Sequence, residues 1–207
     1  MLALDHVIIA VGDLDAAADR LLEQHGLGSV PGGVHAGFGT ANRIVPLGDS
    51  YIELMGVVDT EVAAKNFLGE YLLGFLADGD RLFAWCVRTD DISWDAKRIG
   101  SGAVPMSRRK PDGSELSWRL TGLEGALADR SLPFFIQWDG HADAHPGRDP
   151  AEHRVDARGI SSLDVAGNKT KISNRLGRAD LPVNVVRGDP GPVSVTIATS
   201  NGEIVLT

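Results

Sequence analysis

His6 and Glu53 are two residues of this chain whose chemistry runs against their surroundings. His6 interrupts the apolar run 4–11 and Glu53 the run 51–57, and both runs are rich enough in β-formers to read as strands. Side chains alternate along a strand, so His6, Ile8 and Ala10 share one face, as do Tyr51, Glu53 and Met55. A carboxylate on a core-like face needs a partner, because burying it unpaired is costly. His6 is the natural one. Such a site offers Glu53 as a general base; the plainer reading is a structural hydrogen bond between neighbouring strands.

Around these residues one strand–helix pattern recurs at 4–14, at 83–92 and, more faintly, at 160–168, as in chains built from a single supersecondary unit. In the first copy Asp13 is placed to cap a helix with Leu14, Ala18, Leu21 and Leu22 on one side and Gly26 at its end. Strands are predicted around 33–36, 40–47 and 51–57, with a turn at 48–50. A helix over 60–77 follows, with Ala64, Leu68, Tyr71, Leu72, Phe75 and Leu76 at helical spacing. The second unit carries a helix from Asp91 toward Gly100, strands at 104–109 and 115–120 around a Pro-Asp-Gly turn at 111–113, and a closing strand at 132–138. Residues 139–159 turn polar and read as a loop. Beyond them the order βαβββ returns, with strands at 160–166, 183–187, 194–199 and 203–206, a helix near 168–176 and an Asn201-Gly202 hairpin turn.

With 207 residues and 43% hydrophobic content, the chain can bury a sizeable core. A net charge of −8 with no long basic block argues against a nucleic-acid partner. No apolar run is long enough to span a bilayer, and the chain enters its first strand without a charged-then-apolar leader. The single cysteine, Cys86, forms no internal disulfide. A cytoplasmic protein with neither nucleic-acid nor membrane partners is expected.

Paired βαβββ units with His on the first strand and Glu on the fourth resemble the glyoxalase/bleomycin-resistance/extradiol-dioxygenase group, the vicinal oxygen chelate superfamily. Within it, HisAlaGlyPheGlyThrAlaAsn at 35–42 followed by TyrIleGluLeu at 51–54 is similar to the glyoxalase-like domain subfamily, with a resemblance that extends over residues 4–146. The fold implied is α+β: two βαβββ units, 1–58 and 80–140, joined by the helix at 60–77 into a domain over 1–146, their curved mixed sheet enclosing a cleft. The third βαβββ-like unit, 160–207, stands outside it. The resemblance further implies a small polar ligand in the cleft and a divalent ion, Zn, Mn, Ni or Fe, held by the first and last strands of both units. One fold hosts many chemistries, so activity follows less directly than fold.

Carried over residue by residue, the resemblance makes His6 and Glu53 metal ligands. Aligning the caps Asp13 and Asp91 puts Ala84 at the place of His6, and aligning TyrIleGluLeu with PheIleGlnTrp puts Gln137 at that of Glu53. Gln137 becomes the third ligand and a substrate contact. His35, Thr40 and Asn42 line the cleft in the subfamily's pattern, or else satisfy backbone groups of a turn. Arg109 and Trp118 flank the second unit's turn, either as a cationic, aromatic floor for an anionic substrate or as a surface cross-strand pair. Cys86 falls on the face of Ala84. His141, His145 and His153 are expected in solvent, and their spacing fits no zinc signature. With a metal the reading is a lyase or isomerase whose substrate chelates the ion through vicinal oxygens; without one it is a module that binds or sequesters a small molecule. No nucleophile–base pair or phosphate-cradling loop points to another mechanism.

The third unit has Ser161 and Val205 where His6 and Glu53 would stand. Its apolar residues Leu163, Val165, Val183, Val185, Val195, Ile197 and Ile204 need a cover, either the flank of the first two units or a twin, and a homodimer is expected.

Overall fold

The computed structural model of the chain describes residues 1–35, 37–109, 113, 115–140, 142–177 and 179–207. Ala36, the Pro111 and Asp112 of the expected turn, and His141 lie outside them. The first unit comprises β1 (Leu2–Ala10), α1 (Leu14–His25), β2 (Val30–His35), β3 (Thr40–Pro46) and β4 (Tyr51–Val57). Asp13 caps α1 by accepting from the Asp15 and Ala16 N–H groups, and Gly26 closes it at φ 70°, a conformation that strains any side-chain-bearing residue. β2, β3 and β4 form an antiparallel meander that returns β4 to the side of β1, in parallel. His6 stands opposite Tyr51, and Ile8 opposite Glu53. His6 and Glu53 are therefore diagonal neighbours on one face.

Two helices, α2 (Thr60–Ala63) and α3 (Phe67–Leu76), replace the single one expected over 60–77. Asn66 makes the break: its side chain caps α3 by accepting from the Gly69 N–H while donating to the carbonyls of Phe38 and Val62. The second unit follows as β5 (Arg81–Thr89), α4 (Ile92–Ile99), β6 (Ala103–Arg109), β7 (Glu115–Thr121), α5 (Leu123–Ala128) and β8 (Phe134–Trp138). The six residues of α5 form a helix that sequence reading did not place; it has no side-chain cap and so no start signal.

β1 and β5 pair antiparallel and fuse the units into one sheet, ordered β2-β3-β4-β1-β5-β8-β7-β6. Its edge strands β2 and β6 meet, so the sheet curls around a cleft. The concave face carries Ile8, Met55, Phe83, Trp118, Phe134 and Ile136, with α3 contributing Leu68 and Leu72. On the convex face Val7, Leu54, Trp85 and Phe135 pack against Ala17 and Ala18 of α1 and Ile92 of α4.

β9 (Ala157–Ala166), α6 (Lys169–Leu176), β10 (Val183–Val186), β11 (Gly191–Thr199) and β12 (Gly202–Leu206) keep the order βαβββ. Their pairing differs from that of the first two units. β10 lies parallel to β9 on one side and β11 antiparallel on the other, giving β10-β9-β11-β12. Leu163, Val165, Val195 and Ile197 are fully buried in the same core as Val7, Trp85 and Val87. Burial of such side chains stabilises by about 1.5–3 kcal/mol each. The apolar face expected to seek a twin is thus covered within one chain. Among the described residues no helix is long and apolar enough to cross a membrane.

Candidate active site

The pairing of β1 with β5 slips between Leu4 and His6, and this bulge brings the consecutive side chains Asp5 and His6 into contact. Asp5 is fully buried. It accepts from His6 Nδ1 at 2.7 Å, His145 Nε2 at 3.0 Å and Trp138 Nε1 at 3.1 Å. Burial alone would raise its carboxyl, but the hydrogen bonds from His145 and His6 outweigh that effect and hold it far below the usual carboxylate range. The Gly147 N–H donates to His145 Nδ1 at 3.1 Å, so the hydrogen that His145 gives Asp5 is on Nε2. In the same way, an ionised Asp5 keeps the hydrogen of a neutral His6 on Nδ1. Nε2 then presents its lone pair to Glu53 Oε2, 3.5 Å away.

The other oxygen of Glu53 accepts from Asn42 Nδ2 at 2.6 Å. Asn42 Oδ1 is buried with no hydrogen-bond partner among the described residues. It lies so close to Gly32 that a Cβ there would come within 2.1 Å of it. Tyr51 stacks on His6 at 4.5 Å between ring centroids, and Phe134 meets the imidazole edge-on at 5.6 Å. His6 is therefore held by a stacked and an edge-on ring and by the Asp5 hydrogen bond at Nδ1.

Beyond this pair the cleft encloses about 370 Å³, with walls that include Phe38, Phe67, Phe83, Met106, Trp118 and Ile136. His35 and Arg108 are polar exceptions on the far strands. Thr40, fully buried, orients His35 through a 3.1 Å contact between Oγ1 and Nδ1. Burial lowers the basicity of His35, Glu53 works against that, and the Arg108 cation adds to it; the net effect is downward. His35 is a neutral hydrogen-bonding group near pH 7.

The family model of the glyoxalase-like domain matches residues 4–178. The chain belongs to that family. The match runs past the 4–146 of the sequence resemblance and takes in the whole of β9 and α6. The glyoxalase-like chain is similar in fold to a hypothetical protein from Staphylococcus aureus, with 20% identity and a TM-score of 0.66 over 99% of this chain and 84% of that one. Methylmalonyl-CoA epimerase from Mycobacterium tuberculosis aligns at 20% identity and a TM-score of 0.47, over 68% of this chain and 89% of that one. The Streptomyces coelicolor epimerase, in complex with 2-nitronate-propionyl-CoA, aligns at 19% and 0.48, over 69% and 100%. No curated protein matches.

In this glyoxalase-like protein His6, Glu53, Asn42, His35 and Trp118 line one cleft, and Thr40 stands behind His35. Gln137 does not join them. Its Oε1 accepts from the Ile92 N–H at 2.9 Å and so caps α4 on the convex side, while Phe134, Ile136 and Trp138 face the cleft. Cys86 pairs with Phe134 as Ile8 pairs with Glu53, which makes Phe134, not Gln137, the counterpart of Glu53. Arg109 is exposed; Arg108, on the face of Met106, points inward. His145, expected in solvent, is 5% exposed and bonded to Asp5. His153 accepts from the Gly28 N–H. Asp5, Arg108 and His145 are the residues that sequence reasoning missed. Only Arg108 had a signal, the two-residue period from Met106.

Few of the donors near the cleft suit a divalent ion. Asp5, His6 and Cys86 bring one ligating atom each within 4.8 Å of one another. Asp5 already holds Nδ1 of His6, and burial pushes the Cys86 thiol well up, keeping it protonated. In the cleft, His6 Nε2 and Glu53 Oε2 are two donors from one unit, while their second-unit counterparts Ala84 and Phe134 are apolar and buried. This set does not fit an ion that draws ligands from both units.

Proposed function

We propose that the cleft is an active site for proton transfer at carbon, an isomerase or lyase reaction in which His6 and Glu53 share one mobile proton. The observation that carries this reading is the 3.5 Å approach of His6 Nε2 to Glu53 Oε2, with the other imidazole nitrogen tied to an ionised Asp5. Two proton acceptors at that spacing hold a proton between them. Whichever group carries it is the acid, and the other is the base. Asp5 orients the ring and stabilises the imidazolium that forms when His6 takes a proton. The Asn42 hydrogen bond keeps Glu53 in place.

A side-chain base removes only an acidified hydrogen, which points to a carbon next to a carbonyl. The walls favour giving the small polar ligand expected from sequence an apolar body. Apolar surroundings also keep bulk water from quenching the charge that develops. The second reading, a binding module without turnover, draws on the apolar second-unit wall at Phe134 and Ile136.

Deuterium wash-in tests the proposal. A panel of small 2-oxo and 3-oxo acids is incubated with the protein in D2O with chelator present, and C–H signals are followed by proton NMR. At least one member should exchange faster than in buffer, and His6→Gln and Glu53→Gln should each slow it by about 100-fold or more. Exchange that survives His6→Gln contradicts the reading. Saturable binding with no exchange across the panel leaves the binding module in its place.

A further inference from the structure

We infer that Arg108 anchors the charge of the ligand, and that the ligand is a small monocarboxylate with an apolar body. The inference rests on the cleft of the proton-transfer reading and deepens it by naming the substrate class.

Arg108 lies on β6, opposite Leu116 of β7, with its side chain on the cleft face beside Met106 and Val104. It is 8% exposed. Gly33 of β2 makes room for it: a Cβ there would sit 3.2 Å from Arg108 Cδ and 3.3 Å from Nη1. Among the described residues no hydrogen bond or ion pair reaches its guanidinium. Other partly buried arginines of the chain are committed, Arg175 to the carbonyls of Pro133 and Gly122, and Arg98 to Asp95. A buried cation left without a partner is costly and persists where a ligand supplies one.

The chemistry of that ligand follows from the surroundings. A guanidinium offers a planar fork of N–H donors that matches a carboxylate. Glu53 and Arg108 act on the same imidazole, His35, with opposite sign, so they border a common space. One negative charge neutralises Arg108. A second would face Glu53 with no further cation lining the cleft among the described residues, which disfavours a phosphate dianion. Most of the remaining wall is apolar, with Phe38, Phe67, Trp118 and Leu120, and its other polar members, Ser101, Thr121 and Glu124, bring no positive charge. A carboxylate held at Arg108 with its body along these walls leaves its neighbouring carbons within the space that His6 and Glu53 also line.

The test compares isocaproate, isocaproamide and inorganic phosphate by titration calorimetry and ligand-observed NMR on the full chain. Wild type should bind isocaproate about ten-fold or more tightly than isocaproamide, the discrimination expected when a charged hydrogen-bonding partner is removed. Arg108→Gln should erase the preference and leave amide binding unchanged, while Arg109→Gln should keep the preference intact. Equal affinity for the two probes in wild type, binding of neither, or a preference that survives in Arg108→Gln overturns the anchor. Phosphate binding more tightly than isocaproate overturns the carboxylate. The wild-type comparison stands even if Arg108→Gln fails to fold. Loss of deuterium wash-in with the carboxylate preference intact would remove the proposed reaction and leave this inference standing.

Discussion

Replacing Asp5 with Asn removes one charge from the centre of the network at almost constant volume. The carboxylate accepts from His145 and Trp138 at Oδ2 and from His6 at Oδ1. An amide oxygen can keep the first two donors, but its NH2 group then faces His6 Nδ1. Donor meets donor unless His6 moves its hydrogen to Nε2, which would point a hydrogen at Glu53 in place of a lone pair. Breaking a buried charged cluster from one side costs about 3–5 kcal/mol. The two bonds the amide retains reduce this, so Asp5→Asn should destabilise by about 2–4 kcal/mol. Urea unfolding followed by tryptophan fluorescence measures it at pH 7. A second signature lies in acid. The Asp5 carboxyl is held below its unfolded value of about 3.9, so its stabilisation is complete above that pH and is lost as pH falls through the folded-state value. The gap between wild type and variant should therefore narrow by about 1 kcal/mol from pH 5 to pH 3, following a slope of about 1.4 kcal/mol per pH unit. A variant within about 0.5 kcal/mol of wild type at pH 7, or a gap that stays constant into acid, refutes the network.

Gly32→Ala should push Asn42 off Glu53, because its Cβ would lie 2.1 Å from Asn42 Oδ1; isocaproate binding and wash-in should fall while the circular dichroism spectrum is unchanged, at about 1–3 kcal/mol of stability. Gln137→Ala should lose the bond to the Ile92 N–H and about 0.5–2 kcal/mol by urea unfolding, with probe affinity unchanged by calorimetry; an altered affinity would return Gln137 to the cleft. Cys86 should resist iodoacetamide in the native state and react once urea unfolds the chain, because it is buried and its thiol is pushed well above the usual range. Rapid native alkylation, read by mass spectrometry, would contradict its burial.

The His6–Glu53 pair was legible because β1 and β4 alternate cleanly at those positions and pair in parallel. Asp5 was not, since a bulge breaks the alternation there and leaves no mark in residue types. The choice between Arg108 and Arg109 depended on hairpin register, and one residue of slip exchanges the two faces. Gln137 failed for a related reason: motif alignment set the register of β8 three residues away from the pairing of Phe134 with Cys86, and an odd offset exchanges the two faces. His145 lies in a polar stretch whose backbone is held by contacts distant in sequence, such as the Gly48 N–H to the Gly147 carbonyl at 2.7 Å. In the third unit the apolar faces were visible along the strands, but a strand pattern carries no information on whether a neighbour or a twin covers them. Asn66 interrupted a helical stripe that apolar spacing alone read as continuous.

A proton shared between His6 and Glu53 requires a neutral His6 to carry its hydrogen on Nδ1. Nitrogen-15 NMR of wild-type protein labelled at histidine, with His6 assigned by comparison with His6→Gln, reads this directly across pH. The neutral ring should show Nδ1 protonated and Nε2 bearing the lone pair, and Glu53→Gln should change the Nε2 signal. A neutral His6 with its hydrogen on Nε2, or an Nε2 signal indifferent to Glu53→Gln, would contradict the shared proton at the centre of the site.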